Sequence, residues 1–220
     1  MPAGFAEPPR DCGKCPRLAG FRRDNRKSFA DWHNAPVPAF GPLDARLLVI
    51  GLAPGLRGAN RTGRPFTGDY AGDLLYPTLA EFGWTRGDYG GDVDDGLSLD
   101  GCRITNAVRC VPPENKPVGS ETRACRGYLV DEIAALPNLR VIVALGGLAH
   151  GSILSALGLR KKDFPFAHEA VHDIGPGGAA GAGRRLIDSY HCSRYNTNTG
   201  RLTPDMFRNV FRRVSAVLRP

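Results

Sequence analysis

The sequence predicts one α/β domain of three layers, with helices on both faces of a central, mostly parallel four-stranded sheet. Three observations predict it. Four short apolar runs recur along the chain. Helix-spaced apolar patterns lie between them. No internal repeat and no linker divides the 220 residues, a length that one core can serve. Strands alternating with helices imply parallel pairing with both sheet faces covered.

The first strand is read in "RLLVIGLAPG", 46–55, a continuously apolar, β-branched run closed by Gly and Pro. Such a run suits a strand buried on both faces. "CRITNAV", 102–108, is the second. A helix over 121–136 places Cys125, Tyr128, Leu129, Ile133 and Leu136 on one face. "LRVIVALGG", 139–147, is the third strand. A helix over 148–158 ends at Gly158, a natural left-handed stop. "RRLIDSYHC", 184–192, is the fourth strand, with weaker alternation. The last helix, 204–218, buries Phe207, Val210, Phe211, Val214, Val217 and Leu218 and turns Arg208, Arg212 and Arg213 outward. Two segments are low in order: an acidic, glycine-rich excursion at 87–101, and a Gly/Ala-rich connection at 173–183 that joins two edge strands.

No run of about 18 apolar residues exists, so no membrane helix is expected. The N-terminal stretch has no apolar signal region, and the reading is a cytosolic protein of a cell without internal targeting, as in the bacterial cytosol and nucleoid. Lys+Arg 29 against Asp+Glu 22 gives a net charge of +7. That excess admits a polyanionic partner, and arginine suits bidentate phosphate contact. A basic enzyme with no such partner has the same composition. Six cysteines in a cytosolic chain argue against a disulfide framework. Cys12 and Cys15 form a CxxC, and single cysteines follow at Cys110 and Cys125. That is a four-thiolate metal site in outline, zinc or iron–sulfur.

Ligands in open α/β sheets bind beyond the carboxyl ends of the strands. Those ends here are "GLAPGLRGANRTGRPFTGD" (51–69), "TNAVRC" (105–110), "GG" (146–147) and "HCSRYN" (191–196). The first is glycine-rich but lacks both the P-loop and GxGxxG spacings. Phe66, between Pro65 and Thr67, is a candidate stacking platform for a planar ligand, or else a core residue. Asn106 can read the edge of a pyrimidine through one acceptor and two donors. "HCSRYNTNTGRLTP", 191–204, is almost devoid of apolar residues. It admits a metal site on His191 and Cys192, a solvated loop, or a loop that meets a polyanion.

These stretches together resemble the uracil-DNA glycosylase superfamily, in the branch that holds a four-iron–four-sulfur cluster. Within it, the likeness is to the type B, broad-specificity enzymes. "GLAPGLRGANRTGRPFTGD" resembles the branch's first motif, "TNAVRCVPPENKP" with Cys125 the segment of the later two cluster ligands, and "HCSRYNTNTGRLTPDMF" the final motif. The likeness spans roughly residues 12–211. It implies a [4Fe–4S] cluster on Cys12, Cys15, Cys110 and Cys125, without Cys102 or Cys192. It implies that His191 meets an oxygen of the base and that Arg194 to Thr199 form a loop entering the DNA minor groove. Asp69 is the candidate to position the attacking water, with Asp73 and Asn60 in reserve, because Leu52 and Ala53 are apolar where most relatives carry an acid or amide.

The expected function is therefore hydrolysis of the N-glycosidic bond of uracil in DNA, extending to hypoxanthine and xanthine, by a monomer. Asp69, His191 and Asn106 are the expected catalytic residues. Gly51, Ala53, Phe66, Asn106 and His191 line the base, and Arg61, Arg64, Arg194, Asn196 and Asn198 meet DNA. With no lysine or terminal amine in the first and final motifs, no Schiff base and hence no strand-cleaving lyase step is expected. Two other classes remain: a non-catalytic iron–sulfur or zinc nucleic-acid-binding module, and a hydrolase of free nucleosides.

Overall fold

A computed structural model describes residues 5–175 and 183–219. The elements run α1 (Pro16–Ser28), β1 (Leu47–Gly51), α2 (Ala59–Thr62), α3 (Tyr70–Glu81), β2 (Thr85–Arg86), β3 (Ser98–Leu99), β4 (Cys102–Asn106), α4 (Gly119–Ala134), β5 (Val141–Leu145), α5 (Gly147–Ala156), β6 (Val171–Asp173), β7 (Arg185–Ser189), α6 (Arg194–Asn198) and α7 (Pro204–Leu218). The main sheet has the order β4-β1-β5-β7-β6. β4, β1, β5 and β7 pair in parallel, whereas β6 is antiparallel to β7.

The sheet thus has five strands, one more than the four expected. The extra strand is three residues, "VHD", with Val171 and Asp173 exposed, too short and too polar to leave a periodic signature. The 173–183 connection joins this edge strand to its inner neighbour, and 176–182 of it lie outside the described residues. The 87–101 excursion lies largely between β2 and β3, which pair as a small antiparallel ribbon.

Strand alternation assigns the faces. Leu47 and Val49 of β1 pack with Leu75 and Leu79 of α3 and with Phe207, Val210 and Phe211 of α7. Leu48 and Ile50 pack on the other face with Leu129 and Ile133 of α4 and Ile153 and Leu154 of α5. α7 begins where Thr203 Oγ1 accepts the Met206 N–H at 3.2 Å and Pro204 occupies the first turn. Gly158 (φ +71) follows the end of α5, as the sequence anticipates.

The N-terminal segment is tied down by ions. Glu132 of α4, fully buried, accepts from Arg103 Nε at 2.6 Å and from the Arg109 guanidinium. Glu7 accepts from the same two arginines at 3.2 and 3.0 Å. This network holds residue 7 and α4 against the end of β4, beside the cysteines.

Candidate active site

Parallel pairing brings the carboxyl ends of β1, β4, β5 and β7 to one edge. Gly51 and Asn106 are register partners there. The chain leaves β1 through 52–58 and turns through α2. Gly63 (φ +86) ends α2, and residues 64–69 then return to the sheet. Phe66 lies in this return with φ +53, a strained value for a bulky residue. Neighbours hold it there: Tyr76 Oη donates to the Pro65 carbonyl at 2.6 Å and Tyr89 Oη to the Phe66 carbonyl at 3.4 Å. Gly51 is glycine because a Cβ there would stand 2.4 Å from Asn106 Oδ1 and 2.5 Å from Phe66 Cζ. The missing side chain lets the amide and the ring edge meet over the end of β1.

A pocket of about 620 Å³ opens at this edge. Ala53, Phe66, Asp69, Asn106 and His191 all line it, and Arg57, Tyr70 and Arg194 share its wall. Phe66 is both core and pocket wall: it belongs to the apolar cluster under α3 and α7 and presents its ring to the cavity. Asn106 is buried, and among the described residues its carboxamide has no protein hydrogen-bond partner. A ligand with complementary donors and acceptors would satisfy it.

Asp69 caps α3, its Oδ1 accepting the Ala71 N–H at 3.2 Å. Its Oδ2 lies over Gly58, where a Cβ would come within 2.1 Å. Burial raises its pKa, against the lowering effect of the Gly72 and Ala71 backbone N–H groups. His191 follows β7, and burial pushes its pKa down to about 4. Its imidazole is therefore neutral across the ordinary range, with one N–H to donate. The His191 and Phe66 ring centroids are 6.1 Å apart. The reserves are elsewhere: Asp73 is exposed on α3, and Asn60 is buried with Nδ2 donating to Asn34 Oδ1 at 2.9 Å.

The segment after His191 is a one-turn helix, α6, rather than an open loop. Ser193 caps it by accepting the Asn196 N–H. Asn196 Nδ2 donates to the His191 carbonyl at 2.8 Å, so this residue holds the turn in shape. Arg194 is exposed, its guanidinium 5.4 Å from the Tyr70 ring centroid across the pocket mouth. Tyr195 is 73% exposed, and Asn198 is exposed beyond it. Arg61 does not line the pocket; its Nε donates to the Arg57 carbonyl at 2.9 Å.

Arg64 corrects an expectation. It is 5% exposed and forms a two-pronged pair with Asp95, at 2.8 and 2.6 Å. Both guanidinium prongs are spent inside the fold, so Arg64 is not a DNA contact. The acidic excursion supplies its partner, which local sequence spacing does not reveal. Other arginines are likewise committed: Arg208 to Glu81, Arg213 to Glu169, and buried Arg22 to Cys110 Sγ and the Cys12 carbonyl. Sequence reasoning left Arg57, Tyr70, Ser193 and Asn115 out of the site, though all four line the pocket. Arg57 lies within the glycine-rich stretch and could have been found there. Asn115 reaches the rim through a left-handed turn (φ +56) that no local pattern announces.

Cys12, Cys15, Cys110 and Cys125 line one small, mostly apolar cavity between α1, α4 and the end of β4, with Leu18, Val108 and Tyr128. Arg22 Nη1 and the Arg109 backbone N–H each donate to a sulfur, at 3.4 Å to Cys110 and Cys125. Burial pushes the thiols of Cys15 and Cys110 up to about 11, and neighbouring cysteines add to the rise. Cys102 and Cys192 are fully buried elsewhere, in the core under α3 and α7.

Among the described residues, no helix is long and apolar enough to cross a membrane. Residues 38–215 match the model of the uracil DNA glycosylase superfamily. A Type-5 uracil-DNA glycosylase of Thermus thermophilus is 47% identical over 204 residues, covering 90% of each chain. One of Mycobacterium tuberculosis is 42% identical over 209 residues, covering 91% of this chain and 76% of that protein. A Type-4 uracil-DNA glycosylase of Pyrobaculum aerophilum is 32% identical over 154 residues, covering 70% of this chain and 64% of its own. With the match extending from before β1 to within α7, the chain belongs to the uracil DNA glycosylase superfamily.

Proposed function

We propose that the protein is a monofunctional uracil-DNA glycosylase, which hydrolyses the bond between C1′ and the base and leaves an abasic site. The carrying observation is that Phe66 and Asp69 of the loop before α3, Asn106 at the end of β4 and His191 after β7, from three separate segments, line a single pocket. A base flipped from the stack is read there by Asn106, against the Phe66 ring. As the C1′–N bond breaks, the sugar gains oxocarbenium character and the base gains negative charge. His191 donates its one N–H to the base oxygen where that charge grows. The Asp69 carboxylate orients water and faces the sugar cation. Leu52 and Ala53 put no polar side chain against the base, so hypoxanthine and xanthine are accepted too. A genomic DNA substrate suits an enzyme of the bacterial cytosol and nucleoid.

The free-nucleoside reading is tested by offering 2′-deoxyuridine beside a uracil-containing oligomer. Activity on the oligomer alone supports the DNA reading; equal activity on both sinks it. The rim favours DNA, because Arg57 and Arg194 are exposed and unburdened by ion pairs among the described residues. Binding should fall steeply with salt through counterion release. Arg194→Ala should weaken binding and lower the slope of log affinity against log salt by about one, with little change in the saturated single-turnover rate. A lost saturated rate with intact binding would make Arg194 catalytic.

The pH profile follows from the two shifts. Asp69 must be ionised, and its pKa is raised, so the acid limb should begin above the usual carboxylate range, near 4. His191 stays neutral down to about 4, so no inflection should occur near the ordinary histidine value of about 6.5. Single-turnover rates across pH check both. The acid limb should vanish in Asp69→Asn.

The four converging cysteines suit a [4Fe–4S] cluster. The two N–H donors on sulfur suit thiolates that carry a cluster. When bound, the group supplies a rigid cross-link between the N-terminal segment and the 110–125 region. The purified protein should be brown, and Cys102→Ser and Cys192→Ser should keep the colour. Colourless protein from iron-replete, anaerobic expression would refute the cluster.

A further inference from the structure

A second group of ionisable side chains lies outside the pocket. His150 comes from α5, His172 from edge strand β6 and Asp188 from β7. Asp188 is fully buried, and the two imidazoles are 5% and 12% exposed. His150 Nδ1 stands 2.7 Å from Asp188 Oδ1, and His172 Nε2 stands 3.0 Å from Oδ2. All three ligand atoms fall within 4.8 Å of one another. His150 Nε2 donates to the Phe164 carbonyl at 2.8 Å. That bond fixes the ring so that Nδ1 faces the carboxylate. Metal-binding imidazoles are oriented in the same way, by an outer partner on the second nitrogen. A buried carboxylate also needs a compensating charge. Two imidazole nitrogens and one carboxylate, without sulfur, are donors suited to zinc.

We propose that His150, His172 and Asp188 form a divalent-metal site of the zinc class that fastens edge strand β6 to the sheet. The ion replaces the protons that lie between the imidazoles and the carboxylate, so binding releases protons and strengthens as pH rises. The groups facing the site are His150 and the Phe166 ring on the α5 side, His172 and Phe164 around β6, and Asp188. Lys161, from the turn after α5, adds positive charge beside His150. Lys161→Gln should therefore tighten the site. The role is structural and separate from glycosidic chemistry. Asp188 stands three residues before His191, so the ion stiffens the strand that delivers His191 to the pocket.

The test uses the protein as purified, passed over a chelating resin and dialysed against zinc chloride. Zinc content and zinc K-edge absorption fine structure are measured on wild type and on His172→Gln, a change on the short edge strand, outside the apolar core. Expected is one zinc per chain in wild type, absent from His172→Gln. Its shell should be nitrogen and oxygen at about 2.0–2.2 Å. Equal zinc in the two proteins, no uptake in either, or a sulfur shell at about 2.3 Å would overturn the proposal; the last would place the ion among the cysteines.

Discussion

His191→Ala should lower the single-turnover rate on uracil DNA by about 10²–10³, the cost of losing one aimed donor. Asp69→Asn should cost less on the same substrate. The order follows from the pocket. With Leu52 and Ala53 apolar, that stretch of the wall offers the base no polar side chain, and His191 meets the leaving group's growing charge. Its neutrality is built in by burial, which holds the pKa down to about 4. Asp69 helps water that attacks an already electrophilic sugar, so its loss is partly tolerated. That loss should grow with poorer leaving groups, where water and departing base must be better coordinated. Quenched-flow measurement of base release at saturating enzyme compares the two. An inactive Asp69→Asn beside a near-normal His191→Ala would invert the mechanism.

Arg64→Ala should destabilise the fold by about 3–5 kcal/mol, because it leaves the Asp95 carboxylate buried without its cation. For a chain of this size that is a melting temperature lower by roughly 6–20 °C. DNA affinity of the folded fraction should be near normal, in contrast to Arg194→Ala. The Arg64 hydrogen bonds hold the Asp95 carboxyl well below the usual carboxylate range. A carboxylate with a lowered folded pKa contributes its stability above its unfolded value of about 3.9 and loses it as pH falls toward the folded value. The gap between wild type and Arg64→Ala should therefore be full at neutral pH and narrow in acid. Denaturant melts at several pH values measure this; a gap that widens in acid would contradict the pairing.

The sequence was most legible where one period or one spacing decides the structure. β1, β4, β5, β7 and α7 stand out because buried parallel strands and an amphipathic helix leave continuous or 3.6-period apolar runs. The pocket residues were legible because they follow those strands: once the sheet is parallel, Asn106 and His191 must share an edge with the loop that carries Phe66 and Asp69. β6 was not legible, being three residues whose place is set by pairing with β7. α1 and α3 were also missed. α1 is mostly polar and packs through Leu18 and Ala19 beside the cysteines, so its apolar face is narrow. Arg64 was misread because its partner lies 31 residues away in a ribbon whose path only tertiary structure defines. Asn196 was misread in part because the bond that occupies it, to the His191 carbonyl, belongs to a helical turn that the polar composition hid.

The most direct test of the glycosylase account is to incubate the protein with a duplex containing one uracil, measure free uracil, and then treat the DNA with alkali. The account predicts released uracil equal to the abasic sites that alkali reveals, with no strand break beforehand. Intact uracil in the DNA, or strand breaks before alkali, would contradict it.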